Sequence, residues 1–385
     1  MKRAWRAAWL VVALAAACAR GDEAFAPLRM RVAGSPRQIG LQVGQAHKDF
    51  IRRQPDFFAG LGMLASGTSR EALTAQAGRL AEHLAPEDAE EVRGVAEGAG
   101  ISHEDALLLN LFFEVAHQSV FCRQLAVWGK ASADGEMIHG RNLDWFDYPG
   151  QVLQKNNLIL NVKPAKGVEY MVLTWPGFQA ALTGVNRAGL SIAYNQVLGA
   201  PPRGSLSEPV LFSLKRALRS ARTLDEAVDL FVKARPFGSG TILIADSPGR
   251  KAAVVEVVGG RVGVRTAEEM IGNANHATKE AGVAAWGVEP ASWPVCDAAR
   301  SLGLPLDRRK MIEVLRDRRV LQPNNLLSVV FEPAKNRMWL SCGRLEAARG
   351  RFVEYGLWEQ GLGQRPEGIS GAGARLALTG AGDGG

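Results

Sequence analysis

The feature that most constrains this chain is a change in its apolar periodicity near Val120. Between residues 36 and 117, apolar side chains recur every three or four positions, which is the spacing of amphipathic helices. After Val120, short runs of β-branched and aromatic residues alternate with turn-forming Asp, Asn, Gly and Pro, a pattern typical of antiparallel strands and hairpins. We therefore expect a helical segment followed by a region rich in sheet.

The sheet-rich region also contains helices. Its predicted strands cover residues 125–128, 137–142, 158–162, 170–175, 181–185, 190–194, 241–246, 251–258, 326–331, 338–342 and 351–355. Its predicted helices cover residues 208–220, 224–234 and 306–316. The strands come in blocks separated by helices, and single strand–helix–strand units are few. This arrangement favours a layered α+β fold over a parallel-sheet fold.

Residues 1–19 have the pattern of an export signal. A basic start precedes an apolar run, residues 7–17, that is too short to span a bilayer. Small residues before Cys18 suit either an ordinary signal peptidase or lipidation of that cysteine. A lipidation site usually carries Leu three positions before the cysteine, where this chain has Ala15. The sequence therefore predicts export to the periplasm, with membrane tethering through a lipidated Cys18 as the alternative form.

Composition excludes several classes of protein. Lys and Arg total 46 against 39 for Asp and Glu, and part of this small excess lies in the basic start, so no nucleic-acid binding is expected. Four cysteines in 385 residues are too few for a disulfide scaffold. The sequence is compatible both with one disulfide between Cys296 and Cys342 and with two free thiols. Residues 359–385 are rich in Gly and predict a disordered tail.

The sequence lacks the common signatures of hydrolases and nucleotide-binding proteins. Neither a Gly-x-Ser-x-Gly elbow nor a Walker loop occurs, and His103-Glu104 lacks the second histidine of a zinc-protease helix. The six histidines show no metal-ligand spacing, and the cysteines are dispersed. We therefore expect neither a metal nor a cofactor.

One local group of reactive residues remains. Cys122 opens a predicted strand that turns at residues 133–135 and returns through Arg141 and Asp144. A hairpin of this kind brings a thiol, a guanidinium and a carboxylate close together. Arg141 and Asp144 are three positions apart, so a bulge or a strand end is needed to direct both at the thiol. The alternatives are an inert buried thiol and a purely structural ion pair.

Several motifs around this group carry a family resemblance. The most specific is Arg-Asn-Leu-Asp-Trp at residues 141–145, which follows the strand led by Cys122. The others are residues 34–40 with Gly44, residues 109–110, 128–129 and 183–186, Gly189-Leu190, Asn195 and residues 273–276. The chain resembles N-terminal-nucleophile hydrolases of the autoproteolytic group related to acyl-coenzyme A:6-aminopenicillanate acyltransferase, with choloylglycine hydrolase and acid ceramidase as more distant relatives. The resemblance implies a four-layer αββα sandwich at residues 122–358, preceded by an N-terminal helical segment at residues 20–121.

The resemblance also implies that Cys122 becomes the first residue of a chain. Its thiol would attack the carbonyl of Phe121, the acyl group would move to sulfur, and hydrolysis would separate the two chains. The α-amine released on Cys122 has a reference pKa of about 8 and can accept the thiol proton without a histidine. One departure from the family is Arg123, because relatives carry Ser or Thr after the catalytic cysteine.

Four further residues receive catalytic roles from the resemblance. Arg141 and Asp144 would flank the amino-terminal Cys122, bind its amine and favour the thiolate. Asn195 and Asn275 match the family's neutral donors to the developing oxyanion. For both asparagines the alternative is a structural role in a turn or loop.

Three residues are candidates for substrate binding. Arg300 is a weak candidate for the late arginine that completes the set of site residues in relatives. Trp175 and Phe178 lie around a Pro-Gly turn and are candidates for lining an acyl pocket, with ordinary core packing as the alternative.

The sequence thus predicts an exported, self-processed cysteine hydrolase that cleaves the linear amide bond of a small N-acyl substrate. Three alternatives stay open: acyl transfer to an amine, hydrolysis of a lipid ester, and a non-catalytic envelope lipoprotein that keeps the scaffold. The substrate's identity and the oligomeric state are not predicted.

Overall fold

Two sheets lie face to face in the computed structural model, which describes residues 25–116, 122–145, 152–197, 207–278 and 293–358. The predicted export signal with Cys18, the residue Phe121 and the predicted tail at 359–385 lie outside the described residues. The helices are α1 Pro36–Ala46, α2 Lys48–Ile51, α3 Gln54–Ser66, α4 Arg70–Ala81, α5 Pro86–Ala99, α6 His103–Ala116, α7 Val210–Ser220, α8 Leu224–Ala234, α9 Trp293–Leu302 and α10 Arg308–Arg316. The strands are β1 Leu28–Gly34, β2 Arg123–Val127, β3 Ile138–Asp144, β4 Leu158–Pro164, β5 Tyr170–Thr174, β6 Thr183–Asn186, β7 Leu190–Gln196, β8 Ser239–Asp246, β9 Lys251–Val258, β10 Arg261–Thr266, β11 Met270–Asn273, β12 Asn325–Glu332, β13 Arg337–Cys342 and β14 Val353–Gly356.

Strand order follows the hairpins of the sequence. The larger sheet has eight strands in the order β1-β4-β5-β6-β7-β8-β9-β10, and the smaller has six in the order β11-β2-β3-β12-β13-β14. The strands within each sheet pair antiparallel, except that β1 lies parallel to β4. Consecutive strands are mostly neighbours, as short turns require.

The sheets and helices form four layers. Small and apolar side chains fill the space between the two sheets; they are Ala126, Trp128, Met137, Leu243, Ala245, Ala252, Val254 and Ile271. Helices α9 and α10 pack on the outer face of the six-stranded sheet, and α7 and α8 pack on the outer face of the eight-stranded sheet. The αββα fold expected from the resemblance is therefore confirmed.

The N-terminal segment is joined to the larger sheet by a strand that the periodicity analysis does not predict. Strand β1 pairs with β4 over its full length, from Leu28 opposite Leu158 to Gly34 opposite Pro164. Its sequence alternates apolar with basic residues over only a few positions, a weak signal beside the long helical pattern that follows. The eight-stranded sheet therefore combines β1, which precedes the proposed cleavage site, with strands that follow it.

The start of α1 explains one of the sequence motifs. Ser35 caps the helix by accepting a hydrogen bond from the Gln38 backbone, and the Gln38 side chain accepts one from the Ser35 backbone, which forms a capping box. A Cβ atom at Gly40 would lie 1.9 Å from the carbonyl oxygen of Glu91, and one at Gly94 would lie 2.3 Å from that of Arg37. Glycine at these positions therefore allows the backbones of α1 and α5 to touch.

A buried ion-pair cluster connects α5 to α7. The Nζ atom of Lys215 lies 3.2 Å from Asp88 Oδ1 and 2.8 Å from Glu91 Oε2, and all three side chains are almost fully buried. Arg219 adds a further contact with Asp88 at 3.3 Å. Because breaking such a pair leaves an uncompensated buried charge, this cluster fixes α5 against α7.

The described cysteines are Cys122, Cys296 and Cys342, and all three are free thiols. The disulfide considered between the last two is therefore not formed. Among the described residues, no helix combines the length and the apolar character needed to cross a membrane.

Glu114, on α6, is a buried carboxyl group that lies against the first turn of α7. Its Oε1 atom accepts a hydrogen bond from the backbone of Leu211 at 3.4 Å, and Oε2 has no partner among the described residues. Burial raises the pKa of Glu114 from 4.5 to about 8. The folded protein therefore keeps this proton at a pH where the unfolded chain has lost it.

This predicts that Glu114 lowers stability as pH rises. Between pH 4.5 and about 8 the native state binds more protons at this site than the unfolded chain, so the free energy of unfolding falls across that window. The Glu114→Gln variant has no titrating group at this position. The difference between its free energy of unfolding and that of the parent should therefore increase by about 2–5 kcal/mol as pH rises across the window. Urea denaturation at several pH values, in a Cys122→Ala background that keeps one chain, measures the difference. A difference that does not change with pH contradicts the prediction.

Candidate active site

Cys122 immediately precedes β2, which pairs antiparallel with β3. Gln124 lies opposite Arg141, and Arg123 lies opposite Asn142. In this register Arg141 and Gln124 point to the same side, towards the eight-stranded sheet, and strand alternation places Cys122 on that side too. The predicted hairpin is therefore present, and it brings the cysteine and Arg141 together.

The thiol of Cys122 lies next to the guanidinium of Arg141. Arg141 Nη2 is 3.6 Å from the Sγ atom, and Nη1 donates a hydrogen bond to the carbonyl of Leu182 at 2.8 Å. Cys122 is only 1% exposed and Arg141 is fully buried. Burial raises the pKa of the Cys122 thiol, and the charge of Arg141 is the largest effect acting in the opposite direction. The thiolate therefore depends on this arginine.

Asp144 ends β3 beside a bulge in the neighbouring strand. The register between β3 and β12 shifts between Asn325 and Leu327, and Asn325 Nδ2 donates to Asp144 Oδ1 at 2.9 Å. Burial raises the pKa of Asp144 to about 7, against the opposing effects of Asn325, Arg123 and Arg141. A backbone hydrogen bond from Asp144 lowers the pKa of the Cys122 thiol. The strand end and bulge anticipated from the three-residue spacing are thus both present.

Asn275 holds the backbone of the cysteine. Its Oδ1 atom accepts a hydrogen bond from Cys122 N at 2.5 Å, and its Nδ2 donates to the carbonyl of Gln196 at 2.7 Å. Asn275 follows β11, which pairs with the other edge of β2. The sequence-predicted residue therefore contacts the nitrogen that would become the terminal amine.

Asn195 lies between the two sheets. Its Oδ1 accepts from Gln124 Nε2 at 2.5 Å, and its Nδ2 is buried without an acceptor among the described residues. Gln124 is two positions from Cys122 on the same face of β2. The side chains that border the thiol pocket come from the residues on either side, Tyr194 and Gln196.

A small pocket surrounds the thiol. It is lined by Phe113, Cys122, Arg141, Leu143, Trp145, Leu182, Tyr194 and Gln196. None of these described side chains is an imidazole, so a proton acceptor for the thiol must come from another group.

Trp175 and Phe178, the candidates for acyl binding, lie behind the side chains that line the pocket. The ring of Trp175 packs at a tilt against that of Trp145, with their centroids 5.7 Å apart, and its indole N–H donates to the carbonyl of Leu153 at 3.1 Å. Phe178 packs edge-on at 5.6 Å against Phe113. Both support aromatic side chains of the pocket and are absent from its lining. Their positions match the core-packing alternative.

Arg300 is not brought to the pocket. It lies on α9, on the outer face of the six-stranded sheet, and its side chain is 61% exposed in an ion pair with Asp297 at 3.2 Å. The thiol and Arg141 lie on the inner face of the same sheet. The weak sequence match at Arg300 therefore has no structural counterpart at the site.

Sequence reasoning missed Tyr194, Gln196 and Phe113 as pocket residues. Strand alternation could not have found Tyr194 and Gln196, because it places them on the face of β7 opposite to Asn195, whose side chain points between the sheets. Phe113 comes from α6, whose contact with the pocket depends on tertiary packing.

Comparison with known proteins relates most of these site residues to one family. Residues 131–292 match the family model described as acyl-coenzyme A:6-aminopenicillanic acid acyl-transferase. The match confirms the resemblance stated from the sequence. It includes Arg141, Asp144, Asn195 and Asn275, and it begins after Cys122.

Individual relatives are distant. An uncharacterized protein of Archaeoglobus fulgidus is 23% identical over 275 residues, which is 61% of this chain and 44% of that protein. The N-acylethanolamine-hydrolyzing acid amidase of Caenorhabditis elegans is 27% identical over 195 residues, which is 46% of this chain and 53% of that protein. The chain thus spans about half the length of these curated relatives. A solved structure of the C. elegans ortholog of N-acylethanolamine-hydrolyzing acid amidase matches 55% of this chain and 93% of its own, with 21% identity and a TM-score of 0.44.

Proposed function

On the premise that residues 131–292 relate this chain to the acyl-coenzyme A:6-aminopenicillanic acid acyl-transferase family, we propose that it is a self-processing cysteine hydrolase of small N-acyl amides. One observation carries the proposal. The Sγ atom of Cys122 lies 3.6 Å from a buried guanidinium, while the backbone nitrogen of the same residue is held by Asn275. A thiol and a prospective amine on one residue are the parts that an amino-terminal nucleophile requires.

Self-cleavage is the first step of the proposal. The Cys122 sulfur attacks the carbonyl carbon of Phe121, the C–N bond breaks, and the nitrogen takes up a proton as the acyl group becomes a thioester. Water then hydrolyses the thioester, which releases the carboxylate of Phe121 and a free Cys122. Cys122 is only 1% exposed, which is compatible with self-cleavage as the first step. The thiol can reach the carbonyl of the preceding residue without access to solvent.

Amide hydrolysis would reuse the same sulfur. The released amine accepts the thiol proton, the thiolate attacks the substrate carbonyl, and the proton passes to the leaving amine as its C–N bond breaks. Arg141 stabilises the thiolate. The support for Asn195 as an oxyanion donor is its buried Nδ2, which has no acceptor among the described residues. Asn275 contacts Cys122 N through its Oδ1 acceptor, and its Nδ2 donates to the Gln196 carbonyl, so its contacts support a role in holding the amine.

Acyl transfer is the second candidate, because the matched family is described as an acyl-transferase. An amine would then replace water in the step that empties the acyl-enzyme. Adding a primary amine to the assay and measuring free acid against N-acyl product separates the two reactions. Ester hydrolysis is tested with the corresponding acyl ester.

We also propose that the protein is exported to the periplasm, either free or tethered through a lipidated Cys18. The basic and apolar pattern of residues 1–19 supports this. Fractionation of cells producing the full chain, with Cys18→Ala as the variant that cannot be lipidated, tests it. Recovery of both forms in the cytosol would contradict export.

The activity is tested by incubating purified protein with N-acyl amides of graded chain length and measuring the released acid. The expected result is release of acid together with iodoacetamide labelling of Cys122 at neutral pH. An uncleaved chain with an unreactive Cys122 and no turnover would instead support the non-catalytic scaffold lipoprotein.

A further inference from the structure

Arg123 is a buried cation next to the nucleophile that the proposed chemistry does not use. Its Nη1 atom donates to the Cys122 carbonyl at 2.9 Å and lies 3.5 Å from Asn275 Oδ1, the atom that also holds Cys122 N. Its Nε atom is buried and has no acceptor among the described residues. A guanidinium with an unused N–H therefore lies beside the reacting residue.

Among the described residues, positive charge exceeds negative charge around the cysteine. Arg123 and Arg141 are two guanidinium groups, and Asp144 is the one described carboxylate that acts on both, with a pKa raised by burial to about 7. The Nε atom of Arg141 also lacks an acceptor among the described residues. A buried site with surplus positive charge favours a ligand that brings an anion.

Of these charged groups, Arg123 has the greatest access to solvent. It is 8% exposed, whereas Arg141 and Asp144 are 0% exposed and Cys122 is 1% exposed. Arg123 is therefore the charged group of the site that is most accessible to an anionic ligand.

We infer that the substrate carries a carboxylate beside the scissile amide, as an N-acyl amino acid does, and that Arg123 binds this carboxylate. The inference rests on the proposed amide hydrolysis and adds the class of leaving group. It assigns Arg123 a role in binding, distinct from the thiolate stabilisation by Arg141.

The test compares two amides that differ in this group alone: N-lauroylglycine, which is anionic, and N-lauroylethanolamine, which is neutral. Steady-state kinetics are measured for the full-length protein, Arg123→Ser and Arg123→Lys. Wild type should prefer the glycine conjugate, and Arg123→Ser should reduce that preference about 10- to 100-fold, mainly through KM, because a charge-assisted hydrogen bond is lost. Arg123→Lys should recover part of the preference. The matched control is Arg349→Ser, which removes an exposed arginine paired with Glu346 and should leave the preference unchanged.

Two results would overturn the inference. One is equal kcat/KM for both amides in wild type. The other is an equal decrease in kcat for both amides in Arg123→Ser. That result would show that Arg123 acts only as a counterion of Asp144. If neither amide is cleaved, the proposed function fails, and calorimetric binding of the two compounds still decides the inference. Tighter binding of N-lauroylglycine that is lost in Arg123→Ser supports it, and equal binding refutes it.

Discussion

Replacement of Cys122 with Ala is expected to leave the protein as a single chain and to reduce amide hydrolysis by about 10⁴-fold or more. The same sulfur serves both reactions, and the loss of a nucleophile removes the covalent route entirely. The fold should persist, because Ala fills most of the space of a buried Cys that makes no disulfide. Gel analysis of the purified variant and release of acid from an N-acyl amide measure the two effects.

The matched control is Cys342→Ala. Cys342 is another buried free thiol, on β13, and burial raises its pKa to about 12. Because it lies outside the pocket lining, this variant should still self-cleave and keep its activity. Self-cleavage or turnover that survives in Cys122→Ala would contradict the assignment of the nucleophile.

Arg141→Met should have the second largest effect, a loss on the order of 10²–10³ in kcat/KM. Opposite unit charges about 4 Å apart interact by about 4 kcal/mol at an effective dielectric constant of 20, which is about three pKa units. The Arg141 guanidinium lies at a comparable distance from the Cys122 sulfur, 3.6 Å, so its removal should raise the thiol pKa. Met keeps much of the apolar volume of the side chain.

The measurement is the pH dependence of iodoacetamide alkylation at Cys122. In Arg141→Met the alkylation profile should move to higher pH, and Arg141→Lys should move it less, since the charge remains while the planar fork is lost. Circular dichroism of each variant monitors folding. An alkylation profile that does not change in a folded Arg141→Met protein would show that the arginine does not stabilise the thiolate.

Local sequence patterns predict the part of the site that the β2–β3 hairpin forms. Turn residues and strand patterns predict the β2–β3 hairpin, and the hairpin alone brings Cys122 to Arg141. The position of the Asp144 carboxylate is not predictable from local patterns, because it depends on a bulge in β12, which begins 181 residues further along the chain. Family motifs then supplied Asn275, whose contact with Cys122 depends on pairing between β11 and β2.

Other parts depend on long-range packing that periodicity does not encode. Strand β1 is short and precedes a long helical pattern, so its parallel pairing with β4 is visible only in the structure. The surroundings of Asn195 also depend on how the two sheets pack together. Its neighbours on β7 line the pocket, while its own side chain faces Gln124 between the sheets. Arg300 matched a family position by order along the chain, and its helix lies on the outer face of the sheet.

Intact mass and N-terminal sequencing of the purified wild-type protein directly test whether the chain cleaves itself before Cys122. We expect two associated chains, the second comprising residues 122–385 and beginning with a free Cys122. A protein that stays in one chain across residues 121–122, or one cleaved at another bond, would contradict it.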